Sequence, residues 1–168
     1  MIYRVEKMIK QILDKNEKQK IARQILEALP EWFEVEEGRE EYIAGCVDWI
    51  FLADFSEDAQ SACGEKTDCC TAFLCLKETG NATVEIAVMG VRKDYHRKGI
   101  GKQLVEKSKE IAREAGYSFM QVKTVQLGKY EDYDRTNHFY IACGFKEFEV
   151  FPLLWDEDNP CQVYVMSL

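Results

Sequence analysis

Residues 95–104 read YHRKGIGKQL, a turn that carries Gly99 and Gly101 among Arg97, Lys98 and Lys102. It follows the apolar alternation of residues 83–91 and opens a helical pattern. A strand, a glycine turn and a helix start in that order gather unpaired backbone N–H groups and the positive end of a helix dipole at one spot. Glycine lets an anion approach the backbone with no Cβ in the way. The chemistry on offer is therefore phosphate binding. Two nucleotide fingerprints fail on their own residues: a dinucleotide motif needs a third glycine where Leu104 stands, and a P-loop needs Ser or Thr after Gly101-Lys102, where Gln103 stands. Taken alone, the turn fits an ordinary tight turn as well as an anion cradle.

Charge separates along the chain. The 168 residues carry a net charge of −8, yet residues 31–58 hold ten acidic side chains (Glu31, Glu34, Glu36, Glu37, Glu40, Glu41, Asp48, Asp54, Glu57, Asp58) against Arg39 alone. Residues 92–109 hold seven basic ones (Arg92, Lys93, Arg97, Lys98, Lys102, Lys107, Lys109) against Asp94 and Glu106. One segment suits a cation and the other an anion, and either also serves as a solvated face. A basic strip this short in an acidic domain argues against nucleic acid. The seven cysteines lack Cys-x-x-Cys pairing, so the expectation is reduced thiols and no metal site. No apolar run reaches the roughly 18 residues of a membrane span, and no signal-peptide core is visible, so the expected setting is cytoplasmic, away from membranes.

The elements that must position the turn follow from periodicity. With 46% hydrophobic residues, the chain is expected to be one domain, residues 1–168. The first fifteen residues fit strand or helix. Ile21, Ile25, Leu26 and Leu29 form a helical stripe from residue 18 onward, ended by Pro30. Residues 36–49 read as a second helix, residues 50–53 and 72–76 as strands, and Gly80-Asn81 as a turn. Thr83–Val91 alternates Val84, Ile86 and Val88 against Glu85, Ala87, Met89 and Val91, the strongest strand signal in the chain. Ile100, Leu104, Val105, Ser108, Ile111, Ala112 and Ala115 make one amphipathic helix before Gly116. Residues 119–125, 145–151 and 162–166 read as strands, residues 133–143 as a short helix stopped by Gly144, and Asp158-Asn159-Pro160 as a turn. Strands and helices in this order imply an α/β (α+β) fold, a sheet covered by helices.

The pattern Val91-x-x-x-Tyr95-x-x-Lys98-Gly99-Ile100-Gly101 after a strand, with Phe139-Tyr140-Ile141-Ala142-Cys143-Gly144-Phe145 some forty residues later, resembles the GNAT superfamily of N-acetyltransferases. The likeness covers residues 83–151 by motif. LPEWF (residues 29–33) and WDEDNPC (residues 155–161) look like a branch of bacterial members. The resemblance implies a mixed central sheet splayed at its middle strands and flanked by about four helices. It implies acetyl-CoA as co-substrate, with the pantetheine arm against the backbone of Met89, Gly90 and Val91. Amides from Arg97 through Lys98, Gly99, Ile100 and Gly101 to Lys102 would hold the pyrophosphate. His96 stands where the family usually has Gln or Arg, and its side chain can donate there too.

The same resemblance assigns Glu85 as general base and Tyr140 as the proton donor to the leaving thiolate, with Thr136 near CoA. An amine attacks a thioester only as the free base, and deprotonating one of reference pKa near 10.4 costs about 4–5 kcal/mol at pH 7. A base beside the acceptor meets that cost. Family members wall the amine side with their first helices, here the acidic segment 31–58. The implied acceptor is thus a small-molecule or peptide amine, cationic in character, acetylated by direct attack in a ternary complex. A monomer or homodimer is expected. The alternative from another class is a catalytically idle domain that binds acyl-CoA and reports it to a partner.

Overall fold

The computed structural model of the chain describes residues 8–55 and 64–168. Residues 1–7, part of the stretch that fits strand or helix, lie outside that range. Among the described residues, seven strands form one mixed sheet, in the order β1-β2-β3-β4-β5-β7-β6. The strands are β1 (Met8–Ile12), β2 (Ile50–Phe55), β3 (Cys70–Gly80), β4 (Thr83–Val91), β5 (Phe119–Val125), β6 (Lys146–Asp156) and β7 (Asn159–Ser167). The helices are α1 (Lys15–Glu27), α2 (Pro30–Phe33), α3 (Glu36–Gly45), α4 (Ile100–Glu114) and α5 (Glu131–Ala142). The chain divides into two compact units, residues 1–75 with 88–107, and residues 76–87 with 108–168.

In the first unit, β1 pairs antiparallel with β2, from Met8↔Phe55 to Ile12↔Phe51, which settles residues 8–12 as a strand. Asp14 caps α1 by accepting the Glu17 N–H at 2.8 Å, satisfying one of the helix's orphan donors. The expected stripe Ile21, Ile25, Leu26 and Leu29 is buried, packed with Phe51, Ala53, Phe73 and Cys75 into one core. Phe51 and Phe73 stack at 5.2 Å. The buried Lys18 ties α1 to the chain ahead of β2 by donating to the carbonyls of Val47 (3.1 Å) and Trp49 (2.7 Å).

Two boundaries differ from the periodicity. Pro30 does not merely end a helix. The α1 cap falls at Ala28, and Pro30 starts α2, at the position whose missing N–H costs nothing. The helix expected over residues 36–49 is α3 to Gly45 followed by a 3-10 turn, Cys46–Asp48. Glycine at 45 leaves room for Trp49, since a Cβ there would meet its ring at 2.6 Å.

In the second unit, β4 lies parallel to β5 over Thr83↔Phe119 to Ile86↔Val122, while β4 itself runs on to Val91 and β5 to Val125. β5 pairs antiparallel with β7, from Phe119↔Ser167 to Val125↔Cys161. The β6–β7 hairpin is longer than its apolar runs suggest, because the turn sits at Glu157-Asp158, and of the expected Asp158-Asn159-Pro160 only Asp158 belongs to it. The Asp156 carboxylate holds it, accepting from the backbone N–H groups of Asp158 and Asn159, both at 3.0 Å. β6 leaves Phe148, Leu153, Leu154 and Trp155 exposed. The six described cysteines are buried and form no disulfide, and Cys63 lies outside the described residues. No helix among the described residues is long and apolar enough to cross a membrane.

Candidate active site

The glycine turn begins where β4 ends. Arg92 N–H donates to the Thr71 carbonyl at 2.9 Å, and a 3-10 turn, Lys93–Tyr95, bends the chain toward α4. Arg97 (φ 59°) and Gly99 (φ 77°) both take left-handed backbone conformations. Glycine adopts that shape without a side-chain penalty. The amide of Gln103 donates to the Gly99 carbonyl at 3.1 Å. The amides of Ile100, Gly101 and Lys102 therefore precede that bond and point out of the helix end, the geometry of an anion site. Ile100 is buried and anchors this end in the core. The Lys98 ammonium lies over the Tyr95 ring at 4.8 Å.

The His96 side chain bonds to the end of β4. Its Nε2 is 2.6 Å from the Val91 carbonyl oxygen, and a carbonyl only accepts, so Nε2 carries the proton and donates. That donor is turned back onto β4 rather than toward the helix start. The ring also meets Trp32 edge to face at 6.1 Å. Next to it, Lys93 and Glu31 form an ion pair, which holds the Glu31 carboxyl below the usual carboxylate range. The α2 segment Glu31-Trp32 is thus clasped to the residues leading into the glycine turn. Periodicity missed this contact, because α2 is too short to have one; a Trp-Phe pair just after Pro30 is the signal that remained.

Met89, Gly90 and Val91 form the last three residues of β4. A Cβ at Gly90 would meet Ile25 at 2.8 Å and Leu29 at 3.1 Å. Glycine here lets α1 approach the strand's backbone closely.

In the second unit, Glu85 lies on β4 with its side chain 12% exposed, and its Oε1 is 3.0 Å from Lys123 Nζ on β5. Strand alternation explains the contact: Glu85 pairs in register with Gln121, and Lys123 lies two residues further on, on the same face. Sequence reasoning missed Lys123. Cys161, opposite Val125 in the β5–β7 ladder, is fully buried, and burial pushes its thiol up to about 11. It remains protonated near neutral pH and is not a nucleophile.

Tyr140 occupies the last turn of α5, only 5% exposed, its ring edge-on to Phe139 (5.3 Å) and Phe145 (5.7 Å). Gly144 at φ 98° ends the helix as expected. Thr136 points its hydroxyl at its own helix, donating to the Asp132 carbonyl at 3.2 Å. Asn137, the neighbour the sequence did not single out, is the better-connected residue. Fully buried, its Nδ2 donates to the carbonyls of Val125 (2.8 Å) and Tyr133 (2.7 Å), and its Oδ1 accepts from the Tyr164 hydroxyl at 2.6 Å.

The acidic segment is less uniform than its composition. Arg23 grips Glu40 through two bonds, at 2.6 and 2.8 Å, Lys15 meets Asp48 at 3.2 Å, and Asp54 is buried with the Thr71 hydroxyl at 2.5 Å. Glu34, Glu36, Glu37 and Glu41 are exposed. Glu57 and Asp58 lie outside the described residues.

The profile of the acetyltransferase (GNAT) family matches residues 18–145. An uncharacterised N-acetyltransferase of Bacillus subtilis, YvbK, is 30% identical over 123 residues, 66% of this chain and 76% of that protein. Among solved structures, a B. subtilis acetyltransferase in complex with CoA superposes with a TM-score of 0.67 at 18% identity, over 97% of this chain and 99% of the other. The aminoglycoside 6'-N-acetyltransferase from Enterococcus faecium gives 0.69 at 16% identity, over 95% and 96%.

Proposed function

Because the chain belongs to the GNAT family of acetyltransferases, we propose that it moves the acetyl group of acetyl-CoA to a primary amine by direct attack in a ternary complex. The glycine turn holds the pyrophosphate through the amides of residues 97–102, which lead into the N-terminal end of α4. The backbone of Met89, Gly90 and Val91 carries the pantetheine arm, as a strand edge carries a partner strand.

Glu85 is the observation that carries the reading: a carboxylate at 12% exposure on the strand that ends in the glycine turn. It accepts the proton that the acceptor ammonium must lose. The neutral nitrogen attacks the thioester carbon, the C–S bond breaks, and the CoA thiolate takes its proton from the Tyr140 phenol. The acceptor is cationic in this reading. Glu34, Glu36, Glu37 and Glu41 supply the field that concentrates it, whereas Glu31 and Glu40 already serve Lys93 and Arg23. The fold it shares with an aminoglycoside acetyltransferase fits such an acceptor.

The test is thiol release from acetyl-CoA against a panel of amines. Glu85→Gln is expected to lower kcat/KM by about a hundredfold or more. Activity that survives both Glu85→Gln and Tyr140→Phe would remove these roles, and binding of CoA without release by any amine would leave an acyl-CoA sensor.

A further inference from the structure

Lys123 is chemically what the acceptor must be: a primary amine on a flexible stem, already 3.0 Å from the carboxylate assigned as base. Three other lysine–carboxylate pairs lie in water. Lys15–Asp48, Lys20–Glu65 and Lys93–Glu31 each expose more than a third of both side chains, whereas here the carboxylate is 12% and the ammonium 29% exposed. Lys18 is more buried than Lys123 but donates to carbonyls, which take no proton. Of these ion pairs, Lys123–Glu85 sets the more buried amine against a mostly buried carboxylate.

Its position along the strand adds to this. Lys123 is the first β5 residue beyond Val122, where the parallel register with β4 ends. The nearby Cys161 thiol does not compete, since it is buried and protonated.

We propose that the protein acetylates its own Lys123, with Glu85 as base. The inference rests on the reading of acetyl-CoA as donor and Glu85 as base. The Lys123 ammonium gives one proton to Glu85. The freed nitrogen attacks the thioester carbonyl, the C–N bond forms, the C–S bond breaks, and the second nitrogen proton ends on the CoA sulfur by way of Tyr140. Acetyl-lysine carries no charge, so Glu85 loses its ion-pair partner and is left to a cationic acceptor.

The experiment incubates the full chain with acetyl-CoA and no amine, following intact mass and mapping the acetylated peptide. Thiol release with the amine panel runs in parallel. One acetyl group should appear on Lys123 at a rate independent of protein concentration. It should be absent from that position in Lys123→Arg and form about a hundredfold or more slowly in Glu85→Gln, with both variants checked for folding by circular dichroism. Amine-dependent thiol release without acetyl on Lys123 overturns self-acetylation and leaves the transferase reading standing. A rate unchanged in Glu85→Gln, spread over surface lysines, or rising with protein concentration also overturns it. Neither acetylation nor thiol release removes both.

Discussion

Asn137 on α5 accepts the Tyr164 hydroxyl of β7 at 2.6 Å while donating to the Val125 carbonyl of β5 at 2.8 Å. One side chain thus fastens the helix that carries Tyr140 to two strands, one turn before Tyr140 itself. Asn137→Ala leaves a buried hydroxyl and a buried carbonyl short of a partner, and is expected to cost about 2–4 kcal/mol in urea denaturation. Tyr164→Phe removes one bond and should cost about 1–2 kcal/mol. The two changes share a contact, so the double variant should lose less than their sum. Strict additivity would show that the bond contributes nothing.

The contrast between Asn137 and the residues legible beforehand has a physical basis. Thr83–Val91 announces itself because alternation is a local signal: each burial choice repeats every second residue, and the strand's burial pattern follows it throughout. The α1 stripe is legible for the same reason at a period of 3.6. The Glu85–Lys123 pair is 38 residues apart in sequence, and only the register of β4 on β5 creates it. Asn137 reads as a polar position on a weakly amphipathic helix, and its three partners lie on other elements or a turn away. The bond from His96 to the Val91 carbonyl was likewise not legible, because it depends on the bend between β4 and α4 rather than on any local period.

Tyr140→Phe keeps the ring that packs against Phe139 and Phe145 and removes the phenol alone. Any loss of stability is expected to stay within the about 1 kcal/mol of one hydrogen bond. Amine-dependent kcat should fall by about tenfold to a hundredfold, with the acetyl-CoA-induced thermal shift retained. A loss of stability with unchanged kcat would make Tyr140 a packing residue.

Gly90 and Gly99 separate close packing from backbone shape. Gly90→Ala drives a methyl into Ile25 and Leu29 and should cost about 1–3 kcal/mol in urea denaturation. Gly99→Ala meets nothing in space, but φ is 77°, so about 1 kcal/mol of backbone strain falls on the turn itself. The thermal shift given by CoA should therefore weaken more in Gly99→Ala than in Gly90→Ala. The reverse order would place the CoA contact away from the turn.

The buried thiols set the alkaline limit of stability. Burial pushes Cys46 and Cys161 up to about 11 and Cys70 to about 12, from a reference of 9.0. Between these values the folded chain keeps protons that the unfolded chain has lost, so unfolding releases protons and stability falls as pH rises. The contribution is full below pH about 9 and disappears as pH passes the folded values. The urea midpoint should accordingly drop between pH about 8 and pH about 10.5. Cys46→Ala and Cys161→Ala lower the starting stability by removing a buried sulfur, yet each should flatten the fall, because the titrating group is gone. A slope identical to the wild type in both variants would assign the alkaline loss to other groups, beginning with Tyr164, whose phenol burial also raises.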